Sequence, residues 1–286
     1  MTRTIVFLSV LAVAACGGST GSEEPQQAPA PTAAAGASAA PAPSAEEAIE
    51  RALGGDHRSA EHRARDPYRH PRETLAFFGL RPDQRVVEMA PGGGWYTEVL
   101  APVLRDHGKL TVAIRDPEDA SYYGTYLEKL EASPQLYDRV EPIVFEPPER
   151  SSLGPDGSAD LVLTFRSVHG WVNRAQAPAV FAAMFQVLRP GGVLGVVQHR
   201  AEDGADPSET APQGYVPESH VIQLAEEAGF VLDERSDLNR NPADTHEHPE
   251  GVWTLPPSLR LGDVDRARYE AIGESDRMTL RFRKPG

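Results

Sequence analysis

A doubly wound α/β sheet, with helices on both faces and a helical N-terminal extension, is the fold that this sequence predicts, and two observations carry the prediction. From Arg85 onward, short β-branched runs alternate with longer amphipathic ones, the pattern of parallel strands joined by crossover helices. Three consecutive glycines, Gly92 to Gly94, fall between the first of those runs and the helix after it. In such sheets the first strand-to-helix turn is the usual wall of the ligand site.

Taken in order, the folded part is expected over residues 46–286. It opens with the charged helical stretch "SAEEAIERALGGDHRSAEHRARD", broken by Gly54 and Gly55, and continues into "PYRHPRETLAFFGL", whose Leu75, Phe77 and Phe78 need a core. Strand "RVVEM" then leads into helix "TEVLAPVLRDH", and "KLTVAI" into "SYYGTYLEKLEA". "VEPIVF" ends in a Pro-rich loop, "ADLVLTF" precedes "RAQAPAVFAAMFQVL", and "VLGVVQH" precedes "ESHVIQLAEEAG". "FVLDERSDL" and "RMTLRFRKP" have no convincing helix between them, which suits two strands closing one edge, with either a parallel or an antiparallel pairing open.

The first 45 residues have a different composition. "MTRT" supplies one positive charge, "IVFLSVLAVAA" is apolar but short for a membrane span, and Cys16 follows at once. This is a signal-peptide layout over residues 1–15. Val13, Ala14, Ala15 and Cys16 resemble a bacterial lipobox, which implies acylation of Cys16 and, with two or three chains, stable anchoring in the cell envelope, at the periplasmic face of the outer membrane. An ordinary secretory peptide with an incidental cysteine is the other reading. Residues 16–45 continue as Gly, Ser, Ala, Pro and Gln with almost no large apolar side chain, a flexible tether. Cys16 is the only cysteine, so an intrachain disulfide and a thiolate metal site are both excluded.

The net charge of −14 sets the global field against a phosphate-tracking groove, so nucleic acid is not expected as a partner. "RNPADTHEHPEGVW" carries His246 and His248 at i and i+2 beside acids, a pattern able to take zinc. With no strand or helix to fix them, the loop reads as exposed and acidic, and no metal site is assigned. "AEDGADPSE" reads as a solvated loop placed where it could cover a site at the strand ends.

What needs bare backbone at the glycine run is close approach. Without Cβ atoms the chain takes positive φ and lets a ligand lie against the peptide plane, while the following helix offers free N–H groups. A tight Pro-Gly connection is the plainer alternative. The dinucleotide fingerprint wants a third glycine three positions after the second, but Thr97 stands three after Gly94.

"VVEMAPGGG" instead resembles the first motif of class I S-adenosylmethionine-dependent methyltransferases, with Glu88, Ala90, Gly92 and Gly94 at its four defining positions. "DGSADLVLTF" is similar to that family's fourth-strand segment, and "VLRPGGVLGVVQH" to the helix end, Pro-Gly-Gly turn and fifth strand that follow. More narrowly, "HPRETLAFFGL" ahead of "VVEMAPGGGWYTEVLAP" resembles bacterial predicted methyltransferases that carry export signals. The resemblance implies a Rossmann-like sheet and S-adenosyl-L-methionine as cofactor. It also implies that the loop Gly92–Gly93–Gly94 wraps the cofactor's amino-acid and ribose parts and that Glu88 orders its ammonium group.

The sequence departs from the family at the ribose. The acid that usually ends the second strand falls at Ile114; Asp116, two residues on, either substitutes for it or is a turn residue before Pro117. Glu146, directly after "IVF", is the adenine-side candidate and fits better than Glu149. Trp95 and Tyr96 follow the glycines, so at least one ring is expected in the cleft, where an aromatic face attracts a sulfonium, and core packing is the plainer role for either ring. Trp171 is a further cleft-wall ring.

Methyl transfer is an in-line displacement, so the protein mainly aligns its reactants and needs a base only for a protonated nucleophile. His169, after the fourth strand, is the first base candidate and His199, at the end of the fifth, the second; either could equally be a hydrogen-bonded loop histidine. The Asn-Pro-Pro-aromatic motif of adenine methylation is absent. The reading is a membrane-tethered methyltransferase with a small-molecule substrate. Because the implied export separates it from cytosolic cofactor, a non-catalytic ligand-binding lipoprotein of the same fold is the alternative, and a dinucleotide oxidoreductase the third.

Overall fold

The computed structural model describes residues 43–118 and 121–286. The segments expected as signal peptide (residues 1–15), acylated Cys16 and tether, up to residue 42, lie outside the described residues. Among the described residues, no helix is long and apolar enough to cross a membrane.

Eight strands follow in the chain: β1 (Arg85–Met89), β2 (Lys109–Ile114), β3 (Val140–Val144), β4 (Ala159–Phe165), β5 (Leu188–Ala201), β6 (Val216–Pro217), β7 (Val231–Ser236) and β8 (Arg277–Arg283). The sheet runs β3-β2-β1-β4-β5-β8-β7, with the short β6 beside the end of β5. The first five strands are mutually parallel, and β8 runs antiparallel to both β5 and β7. Strand order therefore reverses between β1 and β4, which opens a crevice beyond their carboxyl ends.

The period of two along each strand sorts its side chains onto two faces. Val87 and Met89 join one apolar layer with Val162, Leu194 and helix Ala177–Val187. Val86 joins the other, with Val112, Leu161, Leu163 and helices Ala45–Gly54 and Thr97–Leu104. Glu88 alternates onto this second face and is only 1% exposed. A carboxylate is thus embedded where the pattern calls for an aliphatic side chain, which is costly unless something compensates it.

The N-terminal extension folds as expected, starting at a capping box in which Ser44 Oγ accepts from the Glu47 amide and Glu47 returns the bond to the Ser44 amide. Two expectations need correction. The Pro-Gly-Gly segment is part of β5 rather than a free turn, because Gly191 donates to the Lys284 carbonyl and Lys284 donates back to Gly192, continuing the ladder with the chain beyond β8. The segment between β7 and β8 does hold a helix, Arg266–Ile272, whose single buried residue, Tyr269, leaves no apolar period to read.

Candidate functional site

A cavity of about 480 Å³ lies at the switch point. Its near wall is the end of β1 and the glycine turn: Glu88, Ala90, Pro91 and Gly92, then Trp95 and Tyr96. Ala90 and Gly92 have φ of 48° and 62°, and Gly94 has φ of 79°, so the turn uses left-handed backbone at three positions. Gly93 and Gly94 lie behind the wall, where the Gly93 carbonyl accepts from Lys129 Nζ at 3.0 Å.

Glu88 is held from one side only. Thr97 Oγ donates to Glu88 Oε2 at 2.7 Å, while Oε1 is buried with no hydrogen-bond partner among the described residues. Burial raises the pKa of this carboxyl to about 7, against the opposing hydrogen bond from Thr97 and the charge of Lys129. An unpaired carboxylate oxygen at a cavity wall calls for a cationic donor, and an ammonium group is the simplest.

Both aromatic rings of the turn line the cavity, and both are 5% exposed. Each ring thus serves the cavity wall and the apolar layer together, rather than one taking the cleft and the other the core. Trp95 instead locks the N-terminal extension: its indole N–H donates to the His62 carbonyl at 3.1 Å, and the guanidiniums of Arg69 and Arg58 lie 4.5 and 5.1 Å from the ring centre. Tyr96 stacks face to face on Phe165, at the end of β4.

The side of the cavity at the ends of β2 and β3 is where the structure corrects the sequence. Asp116 does not line the cavity. Its carboxylate accepts from Arg150 Nη1 at 2.5 Å and from the Glu118 amide at 3.0 Å, and these two bonds hold its pKa down. Glu146 is likewise off the wall, accepting from Arg115 Nε at 3.1 Å. Ile114 is buried in the apolar layer. The side chain that β2 delivers to the cavity is Arg115, joined there by Tyr123.

The far wall comes from the ends of β4 and β5: Arg166, His169, Trp171, Arg174 and His199, with Trp253 closing it from the loop after β7. His169 and His199 are brought together, ring centres 6.0 Å apart, and Trp253 packs edge-on to His169 at 5.8 Å. Gln198 fixes the state of His169. The Gln198 carbonyl accepts from the Val168 amide at 3.1 Å and its NH₂ donates to the Gly214 carbonyl at 2.9 Å, so the orientation of the amide is set. That NH₂ also faces His169 Nδ1 and the His199 carbonyl, each at 3.4 Å, and when it donates to the ring, Nδ1 accepts. Burial holds the pKa of His169 at about 4, so the ring is neutral at pH 7, and the bond from Gln198 to Nδ1 corresponds to the tautomer with its proton on Nε2. His199 is also kept neutral by burial, its pKa well below the usual imidazole range, and its Nδ1 lies 2.5 Å from Ser275 Oγ.

The His246 and His248 loop is largely exposed, as its composition suggests, but Asp244 and His248 turn inward. His248 is buried with Nε2 2.8 Å from Asp244 Oδ1, and the same carboxylate accepts from the Tyr215 hydroxyl and the Asp276 amide. Among the described residues, no group of three or more His, Cys, Asp or Glu side chains is placed to hold a metal ion.

Sequence reasoning missed Arg115, Arg166, Arg174 and Trp253. The first two directly follow β2 and β4, and the rule that ligands gather at carboxyl strand ends points to them. Trp253 had no such signal.

No protein-family model matches the chain, and no curated protein sequence does. Solved structures share its fold. An S-adenosylmethionine-dependent methyltransferase from Aquifex aeolicus is similar at 15% identity with a TM-score of 0.53, over 84% of this chain and 98% of that one. An arsenic(III) S-adenosylmethionine methyltransferase from Chlamydomonas reinhardtii is similar at 17% identity and a TM-score of 0.52, over 86% of this chain and 75% of that one. The [4+2]-cyclase SpnF is similar at 18% identity and a TM-score of 0.56, over 81% and 85%. The fold is the Rossmann-like methyltransferase fold.

Proposed function

We propose that this protein is an S-adenosylmethionine-dependent methyltransferase acting on a small molecule. The observation that carries the reading is Glu88: a buried carboxylate with one oxygen unpaired, at the cavity wall beside a turn of positive φ. The donor's ammonium would pair with Glu88, and the bare backbone at Gly92 would let its amino-acid part lie close. Bound there, the cofactor supplies a methyl group as electrophile.

The chain's own groups then align an acceptor against the far wall. In the tautomer that accepts from Gln198, His169 presents an N–H rather than a lone pair, and its role is donor. His199 is the better-placed base: when its Nδ1 donates to Ser275, Nε2 carries a lone pair toward the cavity, although burial weakens its basicity.

A second reading, a ligand-binding protein without methyl transfer, is favoured by Arg115 standing where a ribose-ordering acid was expected, with Asp116 turned to Arg150. The fold supports it too, since a [4+2]-cyclase has it.

Calorimetric titration of the full chain with S-adenosylmethionine, S-adenosylhomocysteine and NAD separates these. One-to-one binding of the first two in preference to NAD is expected. No heat and no thermal stabilisation with either would overturn the reading, whereas binding without methyl loss to any acceptor tried favours the second.

We also infer that Cys16 carries the acyl chains that hold the protein at the periplasmic face of the outer membrane. The Cys16→Ser variant should accumulate as precursor or appear soluble, and mass spectrometry of an unmodified N-terminus downstream of Cys16 in the wild type would refute the anchor.

A further inference from the structure

The chain is acidic, at −14, yet its cavity is basic. Arg115, Arg166 and Arg174 line it, and Glu88 is the one carboxylate among the described lining residues. Two of the arginines are engaged at the rim: Arg115 donates to Glu146 at 3.1 Å and Arg174 to the Gln176 side chain at 2.9 Å. Arg166 is not. No hydrogen bond or ion pair joins its guanidinium to another described residue. Its backbone is pinned by the Arg166 amide donating to the Val197 carbonyl, with a φ of 60° that side-chain-bearing residues rarely adopt.

Behind it the positive charge is under-compensated. Glu274 accepts from Arg65 at 2.6 Å, from Arg69 at 3.3 Å and from Arg277 at 3.1 Å. One carboxylate thus serves three guanidiniums and acts on Arg166 as a fourth. Arg69 Nη1 and Nη2 remain buried with no hydrogen-bond partner among the described residues. Burial lowers the pKa of Arg166 to about 10, so it is still charged at pH 7. Buried excess cation is expensive unless an anion neutralises it.

The near wall already offers Glu88 to a cation, and the guanidinium without a bonded partner stands on the far wall beside His169 and His199. Resting on the methyltransferase reading, we propose that the methyl acceptor is an anion, a small molecule bearing a carboxylate or phosphate, and that Arg166 holds this group with the Nε2–H of His169 as second donor. The acceptor's charge completes the Arg–Glu274 cluster, which selects anions in an otherwise acidic protein.

The test uses the full chain as wild type, Arg166→Met and Arg166→Lys, with thermal unfolding to establish that each is folded. S-adenosylhomocysteine affinity is measured first. Malonate and inorganic phosphate, as carboxylate and phosphate probes, are then titrated into the loaded protein. At least one probe should bind the wild type saturably and lose about tenfold or more in Arg166→Met, with part of the loss restored in Arg166→Lys and S-adenosylhomocysteine affinity kept within about twofold. A parallel fall in S-adenosylhomocysteine affinity would mean that Arg166 serves the donor's own carboxylate, and the proposal fails. It fails equally if neither anion binds or if both bind the Met variant as well as the wild type. If the wild type does not bind S-adenosylhomocysteine, the same anion titration on ligand-free protein still reports on Arg166. An Arg166-dependent anion site would then survive while its assignment to a methyl acceptor falls with the donor.

Discussion

The Thr97 hydroxyl lies 2.7 Å from Glu88 Oε2, and it is the one hydrogen bond that the buried Glu88 carboxylate has among the described residues. The same hydroxyl lies 3.1 Å from the Tyr126 hydroxyl. With Glu88 ionised, the protons run one way, from Tyr126 to Thr97 to Glu88. The helix Ser121–Ala132 thereby supports the carboxylate from behind and leaves its other oxygen for the cavity.

Replacing Glu88 by Gln should separate stability from binding. The folded carboxyl titrates near 7 against 4.5 in its ordinary state, so the folded chain holds the extra proton between those values. Its stabilising share is full below the lower value and lost as pH rises through the upper. Glu88→Gln should therefore stabilise the ligand-free protein at pH 8 by about 1–3 kcal/mol while weakening S-adenosylhomocysteine by about 1.5–3 kcal/mol. Urea unfolding at pH 5 and pH 8, with calorimetry at pH 8, checks both; unchanged stability at pH 8 would mean that the carboxylate is not strained.

Thr97→Val removes the donor that opposes the burial of Glu88. The carboxyl pKa should rise further, and the acid limb of ligand affinity should move upward by roughly one pH unit. Titrations from about pH 6 to 9 would show it. An unmoved limb would indicate that Glu88 does not govern binding.

Gly94→Ala meets two obstacles. Its φ is +79°, and a Cβ there would sit 2.8 Å from Tyr126 Cε2. A loss of about 1–3 kcal/mol in unfolding free energy is expected, accompanied by weaker ligand binding. Adding Tyr126→Leu should recover the steric part alone, and full recovery would show that the φ costs nothing.

Glu274→Gln should be the most damaging surface-remote change. Burial pushes the carboxyl up, but Arg69, Arg277 and Arg65 outweigh it and hold the pKa at about 2. Its stabilising share is present above the ordinary value of 4.5 and lost as pH falls from there toward 2. Removing the charge at pH 7 strands buried guanidinium and should cost about 3–5 kcal/mol. Urea unfolding at pH 7 and pH 3 tests this: the gap between wild type and variant should narrow at pH 3, and a constant gap would contradict the ion-pair explanation.

By itself the sequence determined seven of the eight strands, all but the two-residue β6, their order of appearance and the place of the ligand turn. These are written in short-range terms: short β-branched apolar runs such as "RVVEM" and "ADLVLTF", a longer amphipathic period in the helices, and glycines at the turn. It also pointed Glu88 and at least one of Trp95 and Tyr96 at the cavity, because the end of β1 and the turn after it border the switch point in a doubly wound sheet. Only the tertiary structure decided which polar side chains turn inward at the other strand ends. Asp116 faces Arg150, 34 residues away, and leaves the cavity to Arg115; His199 meets Ser275, 76 residues away; Trp253 arrives from a loop with no period at all. A charged or aromatic side chain at a strand end takes its direction from the partner that best offsets its desolvation, and that partner is set by the packing of distant segments, which no local pattern encodes.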